Sequence, residues 1–142
     1  MPRRPPSAIR AHQAAAPRGE RSARQIPGIS SRTRAAIARL EAQGLGTDFV
    51  AESLDQYKSF LRRRGRTLYL SPYQCPCCDP AVARDALELA LRRLPPAARR
   101  DLGRLVYRLD EEYRRRTLPE PRPYRLLPWQ FAAWWHQRMA GY

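Results

Sequence analysis

The chain has 142 residues, 43% of them apolar, and sets 27 cationic side chains against 13 acidic ones for a formal charge of +14. That length fits one domain with tails, and its apolar share can close a core without help from a metal or a disulfide. No run approaches the ~18 consecutive apolar residues of a membrane-spanning helix, which disfavours a membrane protein.

The composition narrows the setting further. The cations are 26 arginines and the single lysine Lys58, and the 14 prolines are about twice an ordinary share. A surface this positive attracts nucleic acid, a ribonucleoprotein, anionic lipid or acidic protein, and it repels its own copies. Colloidal solubility alone is the plainer reading of the same charge. The three cysteines all fall between Cys75 and Cys78, so no even disulfide framework exists. With no apolar signal core near the start, the expectation is a reducing, cytoplasmic setting. The first nineteen residues are rich in arginine and free of acid, as in organellar transit peptides, but their prolines break an amphipathic helix.

Residues 1–30 read as a disordered basic tail. Prolines 2, 5, 6, 17 and 27 and small alanine clusters do not offset the entropy of ordering. From Met1 to Arg34 eight arginines face one glutamate, which places half of the excess charge on a quarter of the chain. Such an arm is a solubilising leader or a segment that orders on a polyanion. Residues 31–118 then read as an all-α domain, a bundle of three to four helices.

The first helix is expected from Ser31 to about Gln43, capped by Ser30 or Ser31, with Ile37 and Leu40 on one face and Gly44 as its stop. Thr47 is placed to cap a second helix ending near Arg64. Its Val50, Leu54, Tyr57 and Leu61 form a stripe at helical spacing. Thr67 to Leu70 suggests a short strand with no visible partner. After a cysteine-containing loop at 71–79, Asp79-Pro80 opens a third helix with an N-cap acid followed by proline. Val82, Ala86, Ala90, Leu91 and Leu94 line one side of it, and Pro95-Pro96 ends it.

The fourth helix, from about Ala97 to Arg116, carries Leu102, Leu105, Val106, Leu109 and Tyr113 inward. Arg100, Asp101, Arg104, Arg108 and Glu111 lie on the solvated side at ion-pairing spacing. The segment 119–142 reads as a proline-rich linker, Pro119 to Pro128, tethering an aromatic helix from Trp129 to Met139. In that helix Phe131, Trp134 and Trp135 share a face with Met139. It either docks on the core or, with Trp129, is presented to a protein partner. A membrane-interface role is the third use of such a helix.

Cys75-Pro76-Cys77-Cys78 is the chemically loaded motif, and three readings of it stay open. Cys75 and Cys78 have the two-residue gap with which two thiolates chelate one zinc ion. Cys77 and His136 are the candidates for further ligands. Two copies sharing one ion would resemble zinc-hook assemblies in ligand type. The run from Leu68-Tyr69-Leu70 through the cysteines into a helix resembles the local active site of glutaredoxin-type proteins over about twenty residues. The resemblance implies a low-pKa leading cysteine at a helix N-terminus, although the strands of that fold have no counterpart downstream. In the third reading the cysteines are small apolar residues packed beneath the loop.

Two further motifs concern anions. Arg62, Arg63, Arg64 and Arg66 close the second helix, and Arg114, Arg115 and Arg116 close the fourth. Cations there favour the helix macrodipole, but runs this long exceed what capping needs, and convergence of the two ends would build a phosphate-contacting patch. Ile26-Pro27-Gly28-Ile29-Ser30 with Thr33 resembles the hairpin of helix-hairpin-helix DNA-binding modules, which implies a phosphate held by backbone amides. Ser30 stands for its second glycine and Arg34 for its usual alanine. A serine-capped helix start explains the same residues.

No glycine-rich phosphate loop, nucleophile elbow or paired-histidine motif is present, so the expectation is a non-enzymatic protein. Its leading function is binding nucleic acid or a ribonucleoprotein surface as an accessory protein. The runner-up is a protein-interaction module, zinc-clipped through the cysteine loop in one version.

Overall fold

A computed structural model describes residues 24–68, 70, 79–121 and 133–140. The tail up to residue 23, the loop at 71–78 and the stretch 122–132 lie outside the described residues, so the expectations for them are neither met nor corrected here. Four α-helices occur among the described residues: α1 (Ser31–Leu40), α2 (Phe49–Leu61), α3 (Pro80–Arg93) and α4 (Pro96–Arg115). None of them is long and apolar enough to cross a membrane.

The start of α1 follows local chemistry. The Ser30 hydroxyl accepts from the Thr33 backbone N–H at 3.1 Å, satisfying one of the first-turn donors that lack an intrahelical partner. Ile37 and Leu40 are buried as their spacing demands. The helix widens through Glu41–Leu45 and ends where Gly44 takes φ 136°, a conformation that only glycine adopts readily. Packing, however, begins before Ser31. Ile26 and Ile29 are buried in the same cluster as the helices, so the chain joins the core inside the span expected to be a loose tail. Gly28 sits between them at φ 87°, with its Cα side turned towards Leu105. Two large apolar side chains, three residues apart, outweigh the polar and proline-rich character of their neighbours.

The N-terminus of α2 corrects a local expectation. Asp48, not Thr47, is the N-cap residue; it adopts φ 63° and makes no side-chain cap of its own. Glu41 performs the capping instead, its carboxylate accepting from the N–H groups of Asp48 at 2.8 Å and Val50 at 3.3 Å. An acid at a helix N-terminus also suits the macrodipole. The α2 stripe is as expected: Val50, Leu54, Tyr57 and Leu61 are all buried, joined by Phe60.

In α3, Asp79 caps as expected by accepting from Ala81 N–H at 2.9 Å. Its inward face is rotated from the expected one. Ala81, Ala83, Leu87, Ala90 and Leu94 are buried, while Val82, Ala86 and Leu91 are half-buried. The reason is Arg84, a buried cation in the middle of the inward stripe. Its Nε–H donates to Asp110 Oδ1 at 2.9 Å, and Tyr57 OH donates to the same oxygen at 2.9 Å. A charge is tolerated at such depth only when paired and hydrogen-bonded. On α4, Leu102, Val106 and Tyr113 are fully buried, and Leu105 and Leu109 pack at the margin.

The C-terminal segment departs most from expectation. Among the described residues it is not a helix but a short 3₁₀ turn, Trp134–His136, followed by strand β2 (Arg138–Ala140). β2 pairs antiparallel with β1 (Thr117–Pro119), placing Thr117 opposite Ala140 and Pro119 opposite Arg138. Pro119 therefore belongs to a sheet edge, where a missing N–H is tolerated. A helix here would be short and preceded by a proline-rich run, so it gains little from cooperativity. The turn instead buries Trp135, whose Nε1–H donates to Asp85 at 2.7 Å, and Arg138 donates to Arg114 O and Thr117 O. The last segment thus docks on the bundle. Leu68, expected in a strand, is buried, and its N–H donates to Arg116 O at 3.2 Å.

Candidate nucleic-acid interface

The two arginine runs meet at one end of the bundle, and Arg116 joins them. Only 4% exposed, it extends its guanidinium under the last turn of α2, donating to the carbonyls of Leu61, Arg63 and Gly65. The Leu61 carbonyl belongs to the group that a helix C-terminus leaves unsatisfied, and a cation there also meets the negative end of the dipole, while those of Arg63 and Gly65 lie in the turn that follows. Its Nε is buried with no partner among the described residues. Of the seven arginines expected to face a ligand, Arg116 is therefore structural.

Arg114 and Arg115 are accessible but engaged. Arg114 donates to Glu111 at 2.6 Å and lies over the Trp134 ring at 3.8 Å, a cation–π contact. Arg115 forks onto Glu112 at 2.8 and 3.1 Å, and that hydrogen bonding holds the Glu112 carboxyl below the usual glutamate range. Both pairs lie within one helix and near solvent, where such interactions are weak and exchange readily for a phosphate. Arg62, Arg63, Arg64 and Arg66 are exposed, and none has a carboxylate partner among the described residues. Arg63 alone is braced, over the Phe60 ring at 4.9 Å.

Comparison with protein families, with characterised proteins and with solved structures finds no match for this chain. Its site therefore rests on geometry.

The other expected sites fall out differently. The amides expected to grip a phosphate at the start of α1 already face an anion. Asp101 accepts from Ser30 N–H at 2.9 Å, from the Thr33 hydroxyl at 2.7 Å and from Arg104 at 2.6 Å, and these contacts hold its carboxyl well below the usual range. The residue expected on the solvated face of α4 is thus the internal ligand of the α1 N-terminus. Trp135, expected to face a partner, is 7% exposed and stacked beneath Arg84 at 4.1 Å; Trp134 is half-buried against Tyr113. Trp129 and Phe131 lie outside the described residues, as do Cys75 and Cys78. His136, considered as a zinc ligand, places Nε2 at 2.8 Å from Asp85, the carboxylate that also holds Trp135.

Sequence reasoning missed Arg84, Asp110 and Asp85. Arg84 and Asp110 look like helix-surface charges until their partners, 26 positions apart, are known. Helical phase carried the only available signal: Asp110 stands four residues after Val106 and three before Tyr113, on the buried face.

Proposed function

We propose that this chain is a non-enzymatic accessory protein that binds the phosphate backbone of nucleic acid, alone or within a ribonucleoprotein, through the joined ends of α2 and α4. The observation that carries the reading is the placement of Arg62, Arg63, Arg64 and Arg66, exposed and without acidic partners among the described residues, beside Arg114 and Arg115. A guanidinium matches a phosphate bidentately and keeps its charge at any physiological pH. Dipole stabilisation explains one or two cations at a helix end, not a cluster drawn from two helices. The acid-poor stretch from Met1 to Arg34 adds a second cationic element along the same polyanion.

Backbone contact by arginine makes affinity fall steeply with salt, because each neutralised phosphate releases counterions. For about six phosphates the loss is roughly 10³-fold between about 50 and 200 mM salt. A fluorescence-anisotropy titration of labelled duplex and single-stranded oligonucleotides over that range tests the proposal. Steep salt dependence, reduced in the Arg62→Ala/Arg64→Ala/Arg66→Ala variant, is the expected result. Absence of binding to either nucleic acid at about 50 mM salt would sink it.

A further inference from the structure

An open cleft of about 960 Å³ lies between the start of α1 and the outer face of α4. Three features of it lack a structural explanation. Tyr107 is 59% exposed, although an aromatic ring of its size is normally drawn into a core or an interface. Arg32, Arg100 and Arg108 border the cleft without a carboxylate partner among the described residues. The carboxylate that does line it, Asp101, is spent on Ser30, Thr33 and Arg104.

The third feature is Gly103. Glycine in a helix interior costs about 1 kcal/mol relative to alanine, and here neither conformation nor packing requires it. A Cβ at this position would meet nothing within 4 Å, and no left-handed φ is involved. Gly103 precedes Tyr107 by four residues, hence by one turn on the same face, and helix side chains lean towards the N-terminus. The missing side chain leaves the space beside the Tyr107 ring open. Stability forgone where no fold requirement exists marks a site kept clear for something.

We infer that this cleft takes one unpaired base of a single-stranded nucleic acid, stacked on Tyr107, with its flanking phosphates held by Arg32, Arg100 and Arg108. A base inside a duplex has both faces covered by its neighbours, whereas an unpaired base offers a free face to an aromatic ring. The inference rests on the nucleic-acid reading above and adds to it a preference for unpaired strands. Arginine alone gives no such preference.

The test compares a labelled oligouridylate of about twelve nucleotides with a duplex of equal length at one salt concentration. Stacking on an aromatic side chain is worth about 5- to 150-fold in affinity per base. Tyr107→Ala is expected to weaken oligouridylate binding by at least about 5-fold and to leave duplex binding unchanged, while Tyr107→Phe retains affinity. Gly103→Leu is expected to match that loss with an equal or higher melting temperature, which separates a blocked cleft from a damaged fold. If the wild-type chain binds both probes and neither Tyr107→Ala nor Gly103→Leu alters the ratio between them, this inference is overturned and the joined-end reading stands. Binding of neither probe overturns both. A polyglutamate peptide whose binding depends on Tyr107, with oligouridylate binding unmoved, would assign the cleft to an acidic protein and overturn the inference as well.

Discussion

Asp101 and Asp110 lie nine positions apart on α4 and sit in opposite electrostatic situations. The Ser30 N–H, the Thr33 hydroxyl and Arg104 all favour the charged form of Asp101 and depress its carboxyl. A carboxyl held lower when folded than when unfolded contributes stability above its unfolded value, near 4, and loses that contribution as pH falls through the folded value. Asp101→Ala should therefore lower the urea midpoint at pH 7, and the gap to the wild-type chain should close as the solution is taken well below pH 4. For Asp110, burial is the largest influence and pushes the carboxyl up, against the pull of Arg84 and the Tyr57 hydroxyl. Removing Arg84 leaves that carboxylate buried without its cation, which typically costs about 3–5 kcal/mol. Arg84→Met should show a loss of that order in denaturant unfolding at pH 7. The sign with pH is then reversed: the folded carboxyl lies further above its unfolded value, so the variant recovers stability relative to wild type as pH falls from 7 towards 4.

At the scale of elements, two contacts tie the end of the chain into the bundle. The first is Arg116, whose guanidinium caps α2 from the end of α4. Hydrogen bonds from a charged group are worth about 1.5–3 kcal/mol, and Arg116→Ala should lose about 2–3 kcal/mol of unfolding free energy by that route. Arg64→Ala, on an exposed side chain, should stay within about 0.5 kcal/mol of wild type while weakening oligonucleotide binding. Denaturant melts beside anisotropy titrations therefore separate structural Arg116 from ligand-facing Arg64, whose neighbours Arg63 and Gly65 it holds by their carbonyls. The second contact is Trp135, which pins the 3₁₀ turn against α3 through Asp85 and Arg84. A two-stranded ribbon is marginal without such packing. Trp135→Ala should cost about 3–5 kcal/mol and release β2 from β1, read as faster amide exchange at Thr117, Leu118 and Arg138 to Ala140.

At the scale of the molecule, charge is organised rather than uniform. The buried cations Arg84 and Arg116 hold helices together, and the glutamates pair mostly within their own helix. Among the described residues, arginines without a carboxylate partner include Arg62, Arg63, Arg64 and Arg66 at the end of α2 and Arg32, Arg100 and Arg108 along the cleft by Tyr107. Arg108 borders both the cleft and the cluster around Arg114 and Arg115, so one strand can run along the outer face of α4 and contact both surfaces. Binding by charge alone would depend on the number of phosphates and little on base or strand state. The ratio of single-strand to duplex affinity is therefore the quantity that distinguishes a general polyanion binder from the arrangement proposed here.

The helices were legible in the sequence because helix starts, stops and apolar stripes are local: Ser30, Gly44 and Asp79-Pro80 act within one turn, and Val50 to Leu61 repeat at one period. The sequence also sets the charge and where along the chain that charge is dense. It could not say which arginine is a strut and which is free. Arg114, Arg115 and Arg116 are identical in sequence terms, yet one points into α2's carbonyls, one lies on an indole and one pairs with glutamate. Nor could it place Ile26, or distinguish a short aromatic helix from a turn and strand around Trp135. Those outcomes depend on partners tens of residues away, and burial of a single large side chain or pairing of a single buried charge outweighs the few tenths of a kcal/mol per residue that separate local conformations.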